Sequence, residues 1–343
     1  MADVGVESFA SSVPEQLTET KDATYGRAIE TSDATVVMAT YDIKRWPLLV
    51  GTVESILGDK DQPACVVIAV DQNRELYAKV RETWPQITTV LNSDRRGAST
   101  TRNTGAGPVR TPFIAFVDDD IRVYRGWLSR LLEPFADPTI VGTGGGVVAG
   151  WETGRPGWFP AEFDWVVGAS YRGMPVGRSV IRNVWSENMA VRSDAFRAVG
   201  GFRSDFGKVG DHCRPEDTDL CIRMAASSPE STWMYIPDAA VEHHVPASRA
   251  KWSYFLRRTY EEGAGKLQMA RALGSQEKLQ SERDYLRLTL PSGIAAGLWA
   301  AARHGDISGF LKAGAIVAGV ISAGVGVLSE MLHFAGPGPG GPA

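Results

Sequence analysis

Residues 113–120 read Phe113-Ile114-Ala115-Phe116-Val117-Asp118-Asp119-Asp120. Five apolar residues run without a break into three carboxylates. The apolar run has the length and make-up of a buried strand. In open α/β sheets ligands sit at the carboxyl ends of strands, so the aspartates stand where a ligand would bind. Three adjacent carboxylates repel one another, and desolvation adds to the cost. A divalent cation would relieve the repulsion and bridge to two phosphates. Along an extended segment Asp118 and Asp120 face one side and Asp119 the other, which makes Asp118 and Asp120 the expected metal ligands. The plain alternative is an acidic turn in solvent; the position directly after a buried strand favours the site.

Upstream the same pattern repeats. Residues 35–40 (Thr-Val-Val-Met-Ala-Thr) read as a buried strand, followed by a polar loop around Tyr41–Arg45 and a helical stretch to about Leu57. A second apolar run, Cys65–Val70, ends in Asp71, and a third, near Ile87–Leu91, leads into Asn92–Gly97. Short apolar runs alternating with helical segments predict an α/β fold, a Rossmann-like, mostly parallel sheet flanked by helices. Downstream, residues 142–185 are rich in Gly, Trp and Pro and include Gly144-Gly145-Gly146, Trp151, Trp158, Trp165 and Trp185. They suggest loops and short strands around a pocket, although core packing favours tryptophan as much as a sugar face does. From Ser248 to about Leu286 the pattern is helical. Residues 288–302 and 310–328 are strongly apolar, separated by Arg303-His304-Gly305-Asp306, and predict a C-terminal helical hairpin that either hugs a membrane or packs as a soluble hairpin. The expected division is a polar leader over 1–32, a catalytic domain over 33–265 split into halves 33–120 and 121–265, a helical region over 266–335 with peripheral membrane contact through 288–332, and a disordered tail over 336–343.

The 343 residues, 43% hydrophobic and 22% charged, suit one large domain with an appendage. A net charge of −4 provides no field to gather nucleic acid, so no nucleic-acid partner is expected. Three cysteines, Cys65, Cys213 and Cys221, form neither an even set nor a CxxC pair, which fits a reduced compartment. The N-terminus lacks a basic region followed by an apolar run, so a cytoplasmic location is expected, at the inner face of the cell membrane if the hairpin engages lipid.

A second acidic group lies at 211–223, Asp-His-Cys-Arg-Pro-Glu-Asp-Thr-Asp-Leu-Cys-Ile-Arg. Pro215 suits a first helical turn, Glu216 and Asp217 then meet the positive end of the helix dipole, and Asp219 and Arg223 are spaced to pair. A well-capped helix explains these residues; so does a carboxylate aimed at a substrate. The pair His243-His244 follows the likely strand Trp233–Ile236 and a loop, and a neutral imidazole can complete a metal shell begun by aspartates. Adjacent residues on an extended chain point opposite ways, so one of the two is expected to bind, His243 first and His244 as the alternate.

Taken together, Thr40, Asp71, Arg96-Gly97, Arg102-Asn103-x-Gly105, the Asp118–Asp120 triplet, Gly200-Gly201-Phe202 and Glu216-Asp217-x-Asp219-Leu220 resemble family 2 glycosyltransferases, which have the GT-A fold. The resemblance covers about residues 33–265. It implies a nucleotide-binding half and an acceptor half, and an inverting transfer from a nucleoside-diphosphate-sugar, by default a UDP-sugar, to a small-molecule, glycan or lipid-linked acceptor. Manganese or magnesium would serve as the metal. By the same resemblance Thr40, Tyr41 and Asp71 line the nucleotide; Asp118, Asp119, Asp120, Arg96, Arg102 and Asn103 surround ribose, metal and diphosphate; Arg258 lies near the diphosphate, with Arg249 and Arg257 close in sequence. Asp217 is the expected catalytic base, with Glu216 near the acceptor, and Glu187 and Asn188 are placed beside sugar hydroxyls. Inverting transfer needs such a base to take the acceptor proton. The QxxRW motif of processive synthases is absent, which predicts single transfers. Two alternatives remain: a sugar nucleotidyltransferase, disfavoured because the loop after the first strand has no glycine, and a non-catalytic membrane-associated sugar-binding protein.

Overall fold

The computed structural model describes residues 28–205, 207–209, 212–214, 216–273 and 283–335. Most of the polar leader and the tail 336–343 lie outside these residues. Four strands form the first half of the sheet: β1 (Ala34–Thr40), β2 (Cys65–Asp71), β3 (Thr88–Asn92) and β4 (Phe113–Asp118). They pair in parallel in the order β3-β2-β1-β4. The apolar runs are continuous because both faces are covered. Val36, Met38, Ile68 and Ala115 pack into one core, and Val37, Val67, Ile114 and Phe116 into another, on the period-two alternation of a pleat.

Three helices cross between these strands. Helix α1 (Trp46–Leu57) opens with Pro47 in its first turn and buries Leu49, Val53 and Ile56. Helix α2 (Arg74–Thr83) starts where the Asn73 side chain accepts from the Leu76 amide at 3.0 Å and buries Leu76 and Val80. Helix α3 (Ala98–Ala106) lies directly on β1 and β2; a Cβ at Gly105 would come within 2.6 Å of Val37 Cγ1, so only glycine permits this approach.

The second half of the sheet is mixed, where the first half is parallel. It comprises β5 (Ile121–Val123), α4 (Trp127–Leu132), β6 (Ile140–Trp151), β7 (Ser179–Ile181), β8 (Asn188–Arg192), α5 (Ser193–Ala198), the hairpin β9 (Gly207–Val209) and β10 (His212–Arg214), α6 (Glu216–Ala225) and β11 (Thr232–Val245). The main sheet continues from β4 through β8, β6 and β11 to β5, with β7 also on β11. β8 runs antiparallel to both β4 and β6, while β6 and β11 are parallel. Residues 142–146, part of the stretch read as loops and short strands, lie within the long strand β6. Their glycines admit what crosses them: Trp233 lies over Gly142, Val184 over Gly144, and the Ala239 carbonyl with Asn188 over Gly145. β11 is likewise one strand with an irregularity between Ile236 and Val241, where a strand and a loop were expected.

At the C-terminus, α7 (Trp252–Leu273) is followed by a π-helical turn, Tyr285–Thr289, that runs into α8 (Leu290–His304) and, after Gly305 at φ 65°, α9 (Ile307–Ala335). α9 packs along α7 through small residues: Gly263 faces the Ala323 carbonyl, Gly326 faces the Tyr260 carbonyl, and Ser322 Oγ donates to the Leu256 carbonyl at 2.7 Å. The four tryptophans left open between pocket lining and core packing, Trp151, Trp158, Trp165 and Trp185, are part-buried against the core, with Trp158 edge-on to Phe255 and Trp252.

The tightest crossing supplies a test. An added Cβ at Gly145 would stand 1.9 Å from the Ala239 oxygen and 2.2 Å from Asn188 Nδ2. Gly145→Ala should destabilise the fold by about 1–3 kcal/mol through overpacking. A denaturant midpoint unchanged from that of the parent protein would refute this reading of β6.

Candidate active site

The aspartate triplet leaves the end of β4 and is divided between two guanidiniums. Arg102, from α3 and almost fully buried, donates from Nη2 to Asp118 Oδ1 at 2.7 Å and from Nη1 to Glu216 Oε1 at 3.3 Å. Glu216 opens α6, so one side chain joins the end of a central strand to a helix start more than a hundred residues away. Arg45, from the loop after β1, holds Asp119 through Nε at 3.0 Å and Nη2 at 2.5 Å, and the same Nη2 lies 2.7 Å from Asp120 Oδ2. Thr40 Oγ1 completes the grip on Asp119 at 2.6 Å. Thr40 thus serves the triplet directly. Asp119 is buried as the anchor that fixes its two neighbours, in line with its pointing away from them along the chain.

β11 delivers the histidine. His243 pairs in register with Ile121 of β5, the residue after Asp120. Its Nε2 lies 3.5 Å from Asp120 Oδ2, and its Nδ1 donates to the Gly168 carbonyl at 3.0 Å. Gly168 sits at φ 75°, and a Cβ there would approach His243 Cε1 to 2.9 Å, so a positive φ and a close contact both call for glycine. His244, the next residue on the strand, is only half-buried and reaches Asp120 through its backbone amide at 2.9 Å; His243 is the histidine of the site. Arg249, which donates to the Val167 carbonyl at 3.4 Å, is the downstream arginine whose charge reaches His243. Arg258 and Arg257 instead face Glu262 and Glu261 along α7, at 3.2 Å and 3.7 Å.

The electrostatics are those of a crowded, dry, acidic pocket. Burial pushes the Asp217 carboxyl up to about 7, helped by Glu216 and Asp118 and opposed by Arg102 and a hydrogen bond with Ser186. Burial lifts Glu187 to about 8, with His243 opposing and Asp118, Asp120 and Asp217 adding. Burial works against charge on His243, but Glu187, at 3.8 Å, and Asp120 outweigh it and raise its pKa to about 9. Burial also resists charge on Asp120; His243 and Arg45 win and hold it well below the usual carboxylate range. That Glu187 feels Asp118, Asp120 and Asp217 at once means that carboxylates a hundred residues apart share one cleft.

Some expected residues sit nearby without facing the triplet. Asp71 is buried at the end of β2 and accepts from Asn92 Nδ2 at 2.8 Å and from the Gly97 amide at 3.1 Å; it organises the Asn92–Gly97 loop, with exposed Arg96 3.9 Å away. Gln72 beside it has the one positive non-glycine φ among the described residues, 52°. Tyr41 is exposed and stacks under Arg45, 5.4 Å from ring centre to guanidinium. Asn103 turns away: it donates to the Phe202 carbonyl at 2.7 Å and accepts from the Phe202 amide at 2.9 Å, pinning the Gly200–Phe202 turn to α3. Asn188 is also no hydroxyl ligand. Its amide donates to the Gly146 and Ala239 carbonyls, both at 2.9 Å, and accepts from Trp127 Nε1 at 2.7 Å, so it ties β8 to its neighbours. Arg45 and Gly168 were not singled out by the sequence reading. A cation five residues after the β1 run carries no local signal, and Gly168 is one glycine among 37.

The donor set fits a divalent cation. Asp120 Oδ1 is buried without a hydrogen-bond partner, Asp118 keeps a third of its side chain exposed, and His243 Nε2 faces Asp120. Among the described residues no three His, Cys, Asp or Glu side chains are already gathered at ligand spacing. A cation here would therefore draw its other ligands from water and phosphate oxygens, the usual habit of magnesium.

Comparison with known proteins follows. The model of the family described as Glycosyl transferase family 2 matches residues 35–200. The glucosyl-dolichyl phosphate glucuronosyltransferase of Haloferax volcanii is 31% identical over 236 residues, covering 67% of this chain and 75% of that protein. The succinoglycan biosynthesis protein ExoM of Rhizobium meliloti is 27% identical over 259 residues, covering 72% of this chain and 79% of its own. Among solved structures, the mannosyltransferase PcManGT from Pyrobaculum calidifontis in complex with GDP-Man and Mn2+ superimposes over 91% of this chain and 92% of its own, with a TM-score of 0.56 at 17% identity, a likeness of fold.

Arg102 offers the sharpest test of the electrostatics. Arg102→Leu leaves Asp118 and Glu216 without their shared cation, and loss of one partner from a buried ion pair costs about 3–5 kcal/mol. The Tm of Arg102→Leu should therefore fall by several degrees below that of the parent protein; an unchanged Tm would show that these ion pairs do not hold the two elements together.

Proposed function

The chain belongs to glycosyl transferase family 2, and on that premise we propose that it is a metal-dependent, inverting, non-processive glycosyltransferase acting on a lipid-linked acceptor. The observation that carries this reading is Arg102, which brings Asp118 at the end of β4 and Glu216 at the start of α6 into one cleft, with Asp217 beside them and its Oδ1 buried and unpartnered. A base with a free oxygen thus lies within electrostatic reach of the carboxylates that would carry the donor.

In this reading the sugar nucleotide lies along the carboxyl ends of β1, β2 and β4, with Asp71 toward the base and Asp118 toward the ribose and diphosphate. Manganese or magnesium, when bound by Asp118, Asp120 and His243, supplies positive charge opposite the diphosphate. Arg249 adds a fixed cation on the same side. Asp217 accepts the proton from an acceptor hydroxyl as that oxygen forms its bond to the anomeric carbon. The bond from the anomeric carbon to the diphosphate breaks on the opposite face, and the nucleoside diphosphate leaves with the electron pair. A single displacement inverts the anomeric centre. The acceptor class follows the Haloferax relative, whose name specifies a glucosyl-dolichyl phosphate. For the donor, UDP-sugars are the first candidates and GDP-sugars the second.

The C-terminal helices support contact with a lipid surface. α9 is long and apolar enough over Ile307–Leu332 to cross a membrane, yet little of it is buried. Ile307, Phe310, Leu311, Val317, Ile321, Val325, Leu328 and Leu332 form one exposed stripe. α9 is also packed along α7, which carries Arg257, Arg258, Glu261 and Glu262. A crossing would take those charges into hydrocarbon at about 2.5–3.5 kcal/mol each. Lying on the bilayer keeps them in water, and this favours contact over a span.

Two outcomes test the proposal. Asp217→Asn should lower sugar transfer by at least about 100-fold while nucleotide-diphosphate binding persists. In the parent protein kcat/KM should rise with pH through about 7, because the base must be ionised and burial holds its proton to that point. Transfer that survives Asp217→Asn, or a rate flat from pH 5.5 to 8.5, removes Asp217 from the role. For the membrane, the full chain should float with phosphatidylglycerol-containing vesicles, and Ile321→Asp with Leu328→Asp should abolish flotation; a parent protein that stays at the bottom of the gradient excludes the lipid contact.

A further inference from the structure

Arg45 is placed where it competes with a metal ion. Its Nη2 bridges Asp119 Oδ1 at 2.5 Å and Asp120 Oδ2 at 2.7 Å. Asp119 takes its hydrogen bonds from Arg45 and Thr40. Asp120 Oδ2 is shared by Arg45 at 2.7 Å and His243 Nε2 at 3.5 Å, while its other oxygen, Oδ1, is buried and bare. The guanidinium is mostly buried and fixed from two sides, with Asp119 and Asp120 outweighing the burial that opposes its charge. The tie to Asp119 keeps Arg45 beside Asp120 even if Asp120 turns toward another cation.

We infer that Arg45 is a positioning residue that makes cation binding conditional on the nucleotide diphosphate. The inference deepens the metal-and-diphosphate reading above and rests on it. A divalent ion approaching Asp120 alone meets a fixed positive charge within a few ångströms and only part of a ligand shell, since the described residues offer no ready cage. At such separations two like charges repel by several kcal/mol even in a well-screened protein environment. A diphosphate brings negative charge and oxygen ligands at once, so that ion and nucleotide enter together. The bare enzyme then keeps its acidic cleft neutralised by Arg45 and Arg102 and takes up little free metal.

The experiment is a titration of the full-length protein with Mn2+, reading the free ion by its paramagnetic resonance signal, alone and with saturating UDP or GDP. The parent protein should bind Mn2+ weakly alone and at least about tenfold more tightly with one of the nucleotides. Arg45→Gln should bind Mn2+ alone at least about tenfold more tightly than the parent, with a smaller gain from nucleotide. Arg45→Lys, which keeps the charge, should restore the parent pattern. Because Arg45→Gln leaves Asp119 buried and unpaired, the double variant Arg45→Gln/Asp119→Asn guards against misfolding; it too should bind Mn2+ alone more tightly than the parent. If either folded variant binds Mn2+ alone no better than the parent, Arg45 does not gate the ion and the inference falls, while nucleotide-dependent binding by the parent leaves the metal reading standing. If the parent binds no Mn2+ with either nucleotide, the metal reading itself fails and takes the inference with it.

Discussion

Mutual repulsion of carboxylates in a mostly buried cleft governs this molecule. Asp118, Asp119, Asp120, Glu187, Glu216 and Asp217 converge where solvent screens them only in part, and two guanidiniums and one imidazole hold them together. Arg102 and Arg45 come from the loops and helices of the first half of the sheet; His243 comes from β11 in the second. The cleft is therefore also the seam of the fold. Arg102 reaches from α3 to both the end of β4 and the start of α6, and the balance left over is a set of raised carboxylate and imidazole pKa values suited to moving a proton near neutrality.

The backbone makes this convergence possible by thinning itself. β6 carries Gly142, Gly144, Gly145 and Gly146, and over them pass Trp233, Val184, Asn188 and the Ala239 carbonyl. Without side chains on β6 the neighbouring chain can lie close enough for Asn188 to bond two carbonyls and a tryptophan at once. That rigid knot sits next to Glu187, which faces the histidine. Gly168 does the same on the other side of His243, and Gly105 lets α3 settle onto β1 so that Arg102 reaches Asp118.

The C-terminal helices are joined to the same seam rather than appended to it. Tyr285, ahead of α8, donates to the Glu162 carbonyl at 2.6 Å and receives from Trp165, within the turn that ends at Gly168. α9 presses Gly319 onto Phe163 and Phe255. An exposed apolar surface is thus mechanically continuous with the loop that orients the site histidine.

Much of this was legible in the amino-acid order alone. The runs at 36–39, 65–70 and 113–117 are apolar on every residue, and only a strand covered on both faces demands that, so half of the sheet and the position of the triplet follow from local composition. Asp118, Asp120, Asp217 and His243 could be named because their spacing and family pattern are local properties. The direction of β8 within the sheet, the inclusion of the glycines in β6 and the side on which Asn103 and Asn188 point could not, since each depends on which distant backbone lies opposite. Arg45 marks the boundary most clearly. Nothing around it in sequence distinguishes it from Lys44, yet the fold sets its guanidinium against Asp119 and Asp120, 74 and 75 residues away. Local sequence determines which residues can be buried and which can carry charge; only the packed chain determines which charges meet, because Coulomb energy depends on distance in space and not along the chain.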